Sequence, residues 1–250
     1  MIYFIVNPAA GSGKGAKAVP IIERVMAAHG AAYAIIHTEK SDDDYRRVSE
    51  LIDYGREAAI VSVGGDGTSQ EYAGLAVGKN AGFGVIPVGS GNDLLYSIPG
   101  MHRKFRSFDE KITFYAEKIA AGKTAAIDAV TVNGRYFINI AGTGLDIRVL
   151  KGALPLKKRL GGSAYFISLI KNVFTYKPEK MRLTIDGAEQ TGEYALLAIA
   201  NGSYYGGHMR VVPPAVADDG LLTVCVVRRM LKIKLLAMFP LVKPGWHTRI

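Results

Sequence analysis

The chain has 250 residues, with 31 Lys and Arg against 22 Asp and Glu, giving a formal net charge of +9. Its length allows one large domain or two small ones with real cores, and its 49% hydrophobic content is ordinary for a soluble globular protein. The single cysteine, Cys225, rules out an internal disulfide framework; in the strand-like run "LLTVCVV" it reads as a small buried hydrophobe. No apolar run reaches transmembrane length, and "MIYFIVNPAAG" is too short for a signal peptide and lacks a basic start, so a cytoplasmic protein is expected. The basic balance suits nucleic acid, an anionic membrane surface or a phosphorylated ligand, and equally a solvated basic surface.

In chain order, "IYFIV" predicts a strand and "AVPIIERVMAAHG" a helix that stops on glycine. "YAIIHT" is a strand. "DDDYRRVSELIDYG" is a helix, with Asp42 to Asp44 suited to its positive N-terminal end. "AAIVSV" is a strand, "TSQEYAGLAVG" a helix, "FGVIPVG" a strand and "FDEKITFYAEKIAAG" a helix. This alternation predicts an α/β domain over residues 1–123, a parallel sheet with helices on both faces. From about Thr124 the pattern turns to β. "DAVTV-NG-RYFINI" is a hairpin signal through Asn133-Gly134. "MRLTID-G" and "EYALLAIANG" look like another strand pair, "GLLTVCVVRR" like one more strand, and "SAYFISLIKNVFTY" is the single helix. Residues 124–250 therefore read as a β-rich, mainly antiparallel domain.

Three glycine-rich turns each follow a predicted strand, and in an open α/β sheet ligands bind at the carboxyl ends of the strands. The first is "NPAAGSGKGA". It fails the Walker pattern, because Gly13-Lys14 is followed by Gly15, but Gly11, Gly13 and Ala16 match the dinucleotide pattern G-x-G-x-x-A. A plain strand-to-helix turn is the bland alternative. The second is "GGDGT", Gly64 to Thr68, whose glycines and following helix start favour phosphate. A carboxylate beside polyphosphate needs a cation or an incoming proton between them. Asp66 thus suggests Mg²⁺ coordination, direct or through water, or proton acceptance, against the alternative of a simple Asp-Gly turn. The third is "PVGSGND", with Ser90 and Asn92 as hydrogen-bonding groups.

Together "NPAAG", "GGDGT" followed by Glu71, and "PVGSGND" resemble the diacylglycerol kinase catalytic-domain family, which is related to sphingosine kinases. "IDAVTVNGRYFINIAGTGLD", "NGSYYGGHMRVVPPAVADDGLLTV" and "GWHT" extend the resemblance over the whole chain, most closely to soluble bacterial lipid kinases. The resemblance implies an N-terminal nucleotide domain and a C-terminal lipid-substrate domain, with transfer of the ATP γ-phosphoryl group to a lipid hydroxyl, diacylglycerol to phosphatidate, in phospholipid biosynthesis. It places ATP contacts at Asn7, Pro8, Ala9, Ala10, Gly11, Thr38, Gly64, Gly65, Asp66, Gly67, Thr68, Ser69, Gln70 and Ser90, with Asp66 catalytic. Ser90 stands in place of the family's threonine, and Gln70 where many members have asparagine. The resemblance also implies a structural Mg²⁺ site, with the Asp219 carboxylate and the Val216 and Leu221 carbonyls as ligands; "ADDG" as a bare turn is the alternative.

The family's Asp-Gly-Glu motif, taken to carry the general base, is missing. The Asp-Gly pairs here, Asp66-Gly67, Asp186-Gly187 and Asp219-Gly220, are not followed by glutamate. The expectation is a chain shortened at its C-terminus or one that lacks its base, with Asp66 a partial substitute. For the lipid, "KGALPLKKRLGGSAYFISLIKNVFTYK" sets Lys151, Lys157, Lys158 and Arg159 beside Tyr165, Phe166, Ile167, Leu169, Ile170, Val173 and Phe174, and "RRMLKIKLLAMF" repeats the theme. These stripes read as core and surface, or as peripheral contact with an anionic membrane. The five histidines show no metal-ligand spacing, and Lys14 is a phosphate-binding candidate. A homodimer is admitted; a nucleic-acid partner is not expected, since no recognised motif accompanies the charge. The competing readings are an NAD kinase-like enzyme through "GGDGT", a dinucleotide oxidoreductase through "GSGKGA", and a nucleotide- or membrane-binding protein without turnover.

Overall fold

The computed structural model describes residues 1–39, 43–55, 57–156 and 163–249. The chain forms two compact units. The first comprises Met1–Asn139, Tyr204–His208 and Ala217–Gly220, and the second Ile140–Ser203, Met209–Val216 and Leu221–Ile250.

In the first unit, strands β1 (Ile2–Val6), β2 (Tyr33–His37), β3 (Ala58–Gly64) and β4 (Ala81–Pro87) form a parallel sheet in the order β2-β1-β3-β4. Its helices are α1 (Ala10–Ala28), α2 (Asp44–Glu50), α3 (Asp66–Tyr72, continued by a 3₁₀ turn Ala73–Leu75), α4 (Leu94–Ser97) and α5 (Phe108–Ala120). Successive strand side chains point to opposite faces, so each face acquires its own apolar layer. Phe4, Val6, Val61, Val63 and Ile86 pack with Ala18, Ile22 and Met26 of α1 and Ile112 and Ala116 of α5. Tyr3, Ile5, Ile36 and Ile60 pack with Val48, Ile52, Tyr72 and Leu75. This double cover is why the inner strand β3 reads as one apolar run. A short antiparallel hairpin, β5 (Val130–Val132) and β6 (Arg135–Phe137), turns through Asn133 and Gly134 at φ 50° and 75°.

α2 opens beside a buried carboxylate. Asp44 accepts hydrogen bonds from the Glu39 amide (2.9 Å), the Tyr72 hydroxyl (3.3 Å) and Arg47 Nη2 (2.7 Å). Asp42, expected at the same helix start, lies outside the described residues. Burial, and then the charges of Glu71 and Asp44, push the Tyr72 phenol pKa far up, so it stays a hydrogen-bond donor throughout the working pH range. Asp44→Ala strands the Tyr72 hydroxyl and the Glu39 amide. The expected loss is about 2–3 kcal/mol of stability, as for buried donors left unpaired. Urea unfolding compared with Asp43→Ala measures it; Asp43 is 77% exposed, and its loss should be close to neutral.

In the second unit, β7 (Ile140–Gly144), β8 (Glu179–Ile185), β9 (Ala188–Ala200) and β10 (Thr223–Arg228) form an antiparallel sheet, with β9 pairing to all three others. Helices α6 (Leu145–Ala153), α7 (Ser163–Thr175) and α8 (Lys232–Val242) accompany it. Cys225 is half-buried in β10, and burial pushes its thiol pKa up, as suits an inert small side chain. No helix among the described residues is long and apolar enough to cross a membrane.

Helices α4, α6 and α8 go beyond the sequence expectation, and α1 starts before Ala18. α4 has only four residues, too few for a periodic signal. α8 has no buried residue and is apolar around most of its circumference, so no stripe marks it. The start of α1 is hidden by glycines, which favour no helix.

Candidate active site

The loops after β1, β3 and β4 leave the same, carboxyl edge of the parallel sheet and meet there. The first leaves β1 at Asn7 and holds Gly11, Ser12 and Gly13 at φ 58°, 61° and 89° before the regular helix begins. This left-handed run brings it against the third loop. A Cβ on Gly11 would lie 2.0 Å from the Val88 carbonyl oxygen, and one on Gly15 1.9 Å from that of Asn7. The second and third loops touch through glycines too, since a Cβ on Gly89 would lie 2.4 Å from the Gly65 Cα. Gly64 accepts from the Val88 and Gly89 amides at 2.9 and 3.1 Å.

Asp66 heads α3, and its carboxylate binds the third loop by accepting from the Asn92 amide (Oδ2, 2.6 Å) and the Asp93 amide (Oδ1, 2.6 Å). Asn92 closes that loop, with its side-chain amide donating to the Gly89 carbonyl at 2.9 Å and its own backbone at φ 66°. Asn7 Nδ2 donates to Thr68 Oγ1 at 3.4 Å, and Asn7 Oδ1 accepts from the Ala9 amide at 3.2 Å, which joins the first and second loops.

The remaining expected ATP contacts fall along this edge. Thr38 follows β2, its amide donating to the Val6 carbonyl at 2.9 Å. Pro8, Ala9 and Ala10 form the half-exposed start of the first loop, Gly67 is open, and Ser90 is exposed on the third. Two side chains turn elsewhere. The buried Ser69 hydroxyl pairs with Ser62 Oγ at 2.9 Å, and the Gln70 amide donates to the Tyr136 carbonyl and accepts from the Ile138 amide. Val216, Asp219 and Leu221 belong to the exposed loop leading to β10, where the Gly220 amide donates to Asp128 Oδ2 at 2.8 Å. No group of three or more His, Cys, Asp or Glu side chains among the described residues is arranged for a metal ion.

Residues 1–132 match the family model described as "Diacylglycerol kinase catalytic domain", more than half of the chain. The chain belongs to the diacylglycerol kinase catalytic domain family. Residues 139–250 match a second model, "YegS C-terminal NAD kinase beta sandwich-like domain". A "Probable lipid kinase YegS-like" of Chromohalobacter salexigens is 28% identical over 89% of this chain and 71% of its own length. A "Diacylglycerol kinase" of Mycobacterium tuberculosis is 26% identical over 98% and 79%. A crystal structure titled as a diacylglycerol kinase of Bacillus anthracis superposes with a TM-score of 0.69 at 25% identity, covering 96% of this chain and 77% of that one. The protein is thus a kinase of the lipid kinase type.

In this kinase the site holds groups that the motif reading left without roles. Asp93 is 5% exposed, and its carboxylate accepts from the His208 amide (2.6 Å) and the Gly207 amide (3.0 Å). The His208 ring, on a backbone at φ 64°, donates from Nε2 to the Gly91 carbonyl at 2.7 Å. Tyr96 stacks between His208 and His102, with ring centroids 3.9 and 3.8 Å away. Asp93 was visible within "PVGSGND"; the histidine stack joins positions 96, 102 and 208, a separation that carries no local signal.

Burial, and then the Asp93 charge, raise the Asp66 pKa, against the lowering effect of the backbone amides. A carboxyl with a raised folded pKa holds its proton longer than in the unfolded chain. Its charging therefore opposes folding as pH rises from the ordinary 3.8 through the folded value, and acidification relieves that cost. If the Asp66 carboxylate meets the cation of a bound Mg-nucleotide, binding runs the other way. Affinity for Mg-nucleotide should fall on acidification already above pH 3.8, and Asp66→Asn should flatten that fall. Calorimetric titrations at stepped pH decide this; a wild-type affinity constant down to the ordinary Asp range would refute it.

The two carboxylates flank Gly91, whose added Cβ would lie 2.4 Å from Asp66 Oδ2 and 3.5 Å from Asp93 Oδ2. Two mutually repelling carboxylates form an oxygen-only set that suits a hard divalent cation.

Proposed function

We propose that the chain transfers the γ-phosphoryl group of ATP to the primary hydroxyl of a lipid, diacylglycerol, to give phosphatidate. The observation that carries this reading is the meeting of three glycine-rich turns at one sheet edge, with the Asp66 carboxylate gripping the third. Backbone amides of Gly11 and of Gly65 to Thr68 would cradle the phosphates, with Asn7, Ser90 and the helix start at Asp66 beside them. Thr38 lies toward the β2 edge, away from the glycines, and would serve the nucleoside end. Asp66 and Asp93 would hold Mg²⁺, which when bound neutralises phosphate charge. The protein's own part is positioning, which dominates phosphoryl transfer. Asp66 is the candidate acceptor for the lipid hydroxyl proton. Val216, Asp219 and Leu221 are proposed as ligands of a second, structural Mg²⁺.

Apolar side chains in the second unit support contact with a bilayer. Phe166 and Phe174 of α7 are 54% and 58% exposed, and Leu231 and Ile233 at the start of α8 are 74% and 76% exposed. Lys171, Lys232 and Lys234 share these helices; near an anionic surface each contributes about 1 kcal/mol. Lys157, Lys158, Arg159 and the Tyr165 side chain lie outside the described residues.

Labelled ATP supplied with diacylglycerol micelles, with NAD⁺ and with buffer alone tests the reading. Labelled phosphatidate is expected; labelled NADP⁺ would transfer the protein to the soluble-nucleotide kinases, and nucleotide binding without product would leave a binding protein.

A further inference from the structure

Past the third loop, on the side of α5, the first unit contains a cavity of about 400 Å³. Loop residues 87–92 form one wall and the first turn of α5 another. Its charged lining is entirely cationic: Lys14 from the first loop, Lys111 from α5, and Arg103, with no carboxylate among the lining residues. Arg103 is neutralised by Glu110 at 2.7 Å and lies over the rings of Phe105 and Phe114. Lys14 and Lys111 have no ion pair among the described residues. They are near enough to repel: burial, and then the charge of Lys14, lower the Lys111 pKa. Lys14 is exposed and Lys111 half-buried; an anion bound beside both would relieve their repulsion and gain two charge-assisted contacts. The rest of the wall is aromatic and apolar, with Tyr96, Phe105, Phe108 and Tyr115.

The place of this cavity along the sheet edge narrows the ligand. The glycine turns that suit phosphates follow β1, β3 and β4, and Thr38 follows β2 at the opposite edge of the sheet. A nucleotide laid along that edge points its phosphate tail toward β4, and the cavity lies beyond it. We propose that the cavity seats a phosphate monoester, clamped by Lys14 and Lys111, and that this monoester is the newly transferred phosphoryl group of the lipid product. The inference rests on the lipid kinase reading and deepens it: Lys111 becomes a residue of the acceptor and product side, and the aromatic wall meets the glycerol and the first methylenes.

The test titrates the full chain with dioctanoyl phosphatidate, dioctanoylglycerol, inorganic phosphate and ADP, in wild type, Lys111→Met and Lys104→Met. Methionine keeps the apolar stem and removes the charge; Lys104 is exposed and outside the cavity lining. Wild type should bind phosphatidate at least about 10-fold more tightly than dioctanoylglycerol or free phosphate, since a charge-assisted contact and the apolar wall act together. Lys111→Met should weaken phosphatidate by about 10-fold and leave ADP within about twofold. Lys104→Met should change neither. Equal weakening of ADP would assign Lys111 to the nucleotide and overturn the proposal. Unchanged phosphatidate binding would overturn it too, as would phosphate alone binding as tightly as the lipid. If labelled ATP gives no lipid product while phosphatidate binding still depends on Lys111, the site stands and the kinase reading falls.

Discussion

Asp66→Asn should lower kcat/KM by about 10²–10³, the range seen when one preorganised electrostatic contact to a transition state is removed. The substitution keeps the shape and replaces one oxygen by an NH₂ group. Both carboxylate oxygens accept backbone amides at 2.6 Å, so the new NH₂ must face an N–H donor, either of Asn92 or of Asp93. Two donors cannot share that position. The third loop then loses one of its two ties, and the proposed Mg²⁺ loses half of its carboxylate charge. Stability should fall at the same time by about 1–3 kcal/mol, as for a buried donor left unpaired. Kinetics and urea unfolding on one preparation separate these effects. A variant that is destabilised but turns over within threefold of wild type would show that Asp66 only braces the loop.

Gly11→Ala should weaken Mg-ATP binding by about 100-fold or more, because it separates two of the three loops of the proposed phosphate cradle. The left-handed backbone costs an L-residue about 1–2 kcal/mol by itself. The larger obstacle is steric. The new methyl would sit 2.0 Å from the Val88 carbonyl oxygen, which is backbone and has no rotamer to yield. Gly13→Ala is the matched control: its φ is 89°, also left-handed, yet nothing lies within 4 Å of its added Cβ. It pays for conformation alone. If Gly11→Ala and Gly13→Ala bind Mg-ATP equally well, the contact between the first and third loops is irrelevant to nucleotide binding.

Much of the fold was legible because its signals are local. Runs such as "IYFIV" and "AAIVSV" are apolar throughout, as strands covered on both faces must be, and the chain supplies helical spacing between them. Asn133-Gly134 marked its hairpin through positive φ, which the structure records at both residues. The glycine turns were legible as a candidate site because three of them follow strands, and the sheet order places those strands side by side. What stayed hidden depends on distant partners. That Ser69 would turn inward to Ser62, or that Gln70 would be held by β6, follows from packing and not from the motif that contains them. Asp93 stood in a recognised motif, but its partners Gly207 and His208 lie more than a hundred positions away. Lys111 reads as an ordinary surface residue of an amphipathic helix; only the cavity next to Lys14 distinguishes it.

The path of the chain constrains any attempt to dissect this protein. It passes from one compact unit to the other five times, after Asn139, Ser203, His208, Val216 and Gly220. A fragment ending at Asn139 would therefore keep every strand of the parallel sheet and still be incomplete. The Asp93 carboxylate would lack the amides of Gly207 and His208, Tyr96 would lose one of its two imidazole neighbours, and Asp128 would lose Gly220. Subcloning by halves would test damaged goods; supplying the missing segments in trans, as a peptide spanning residues 204–220, is the experiment the topology invites.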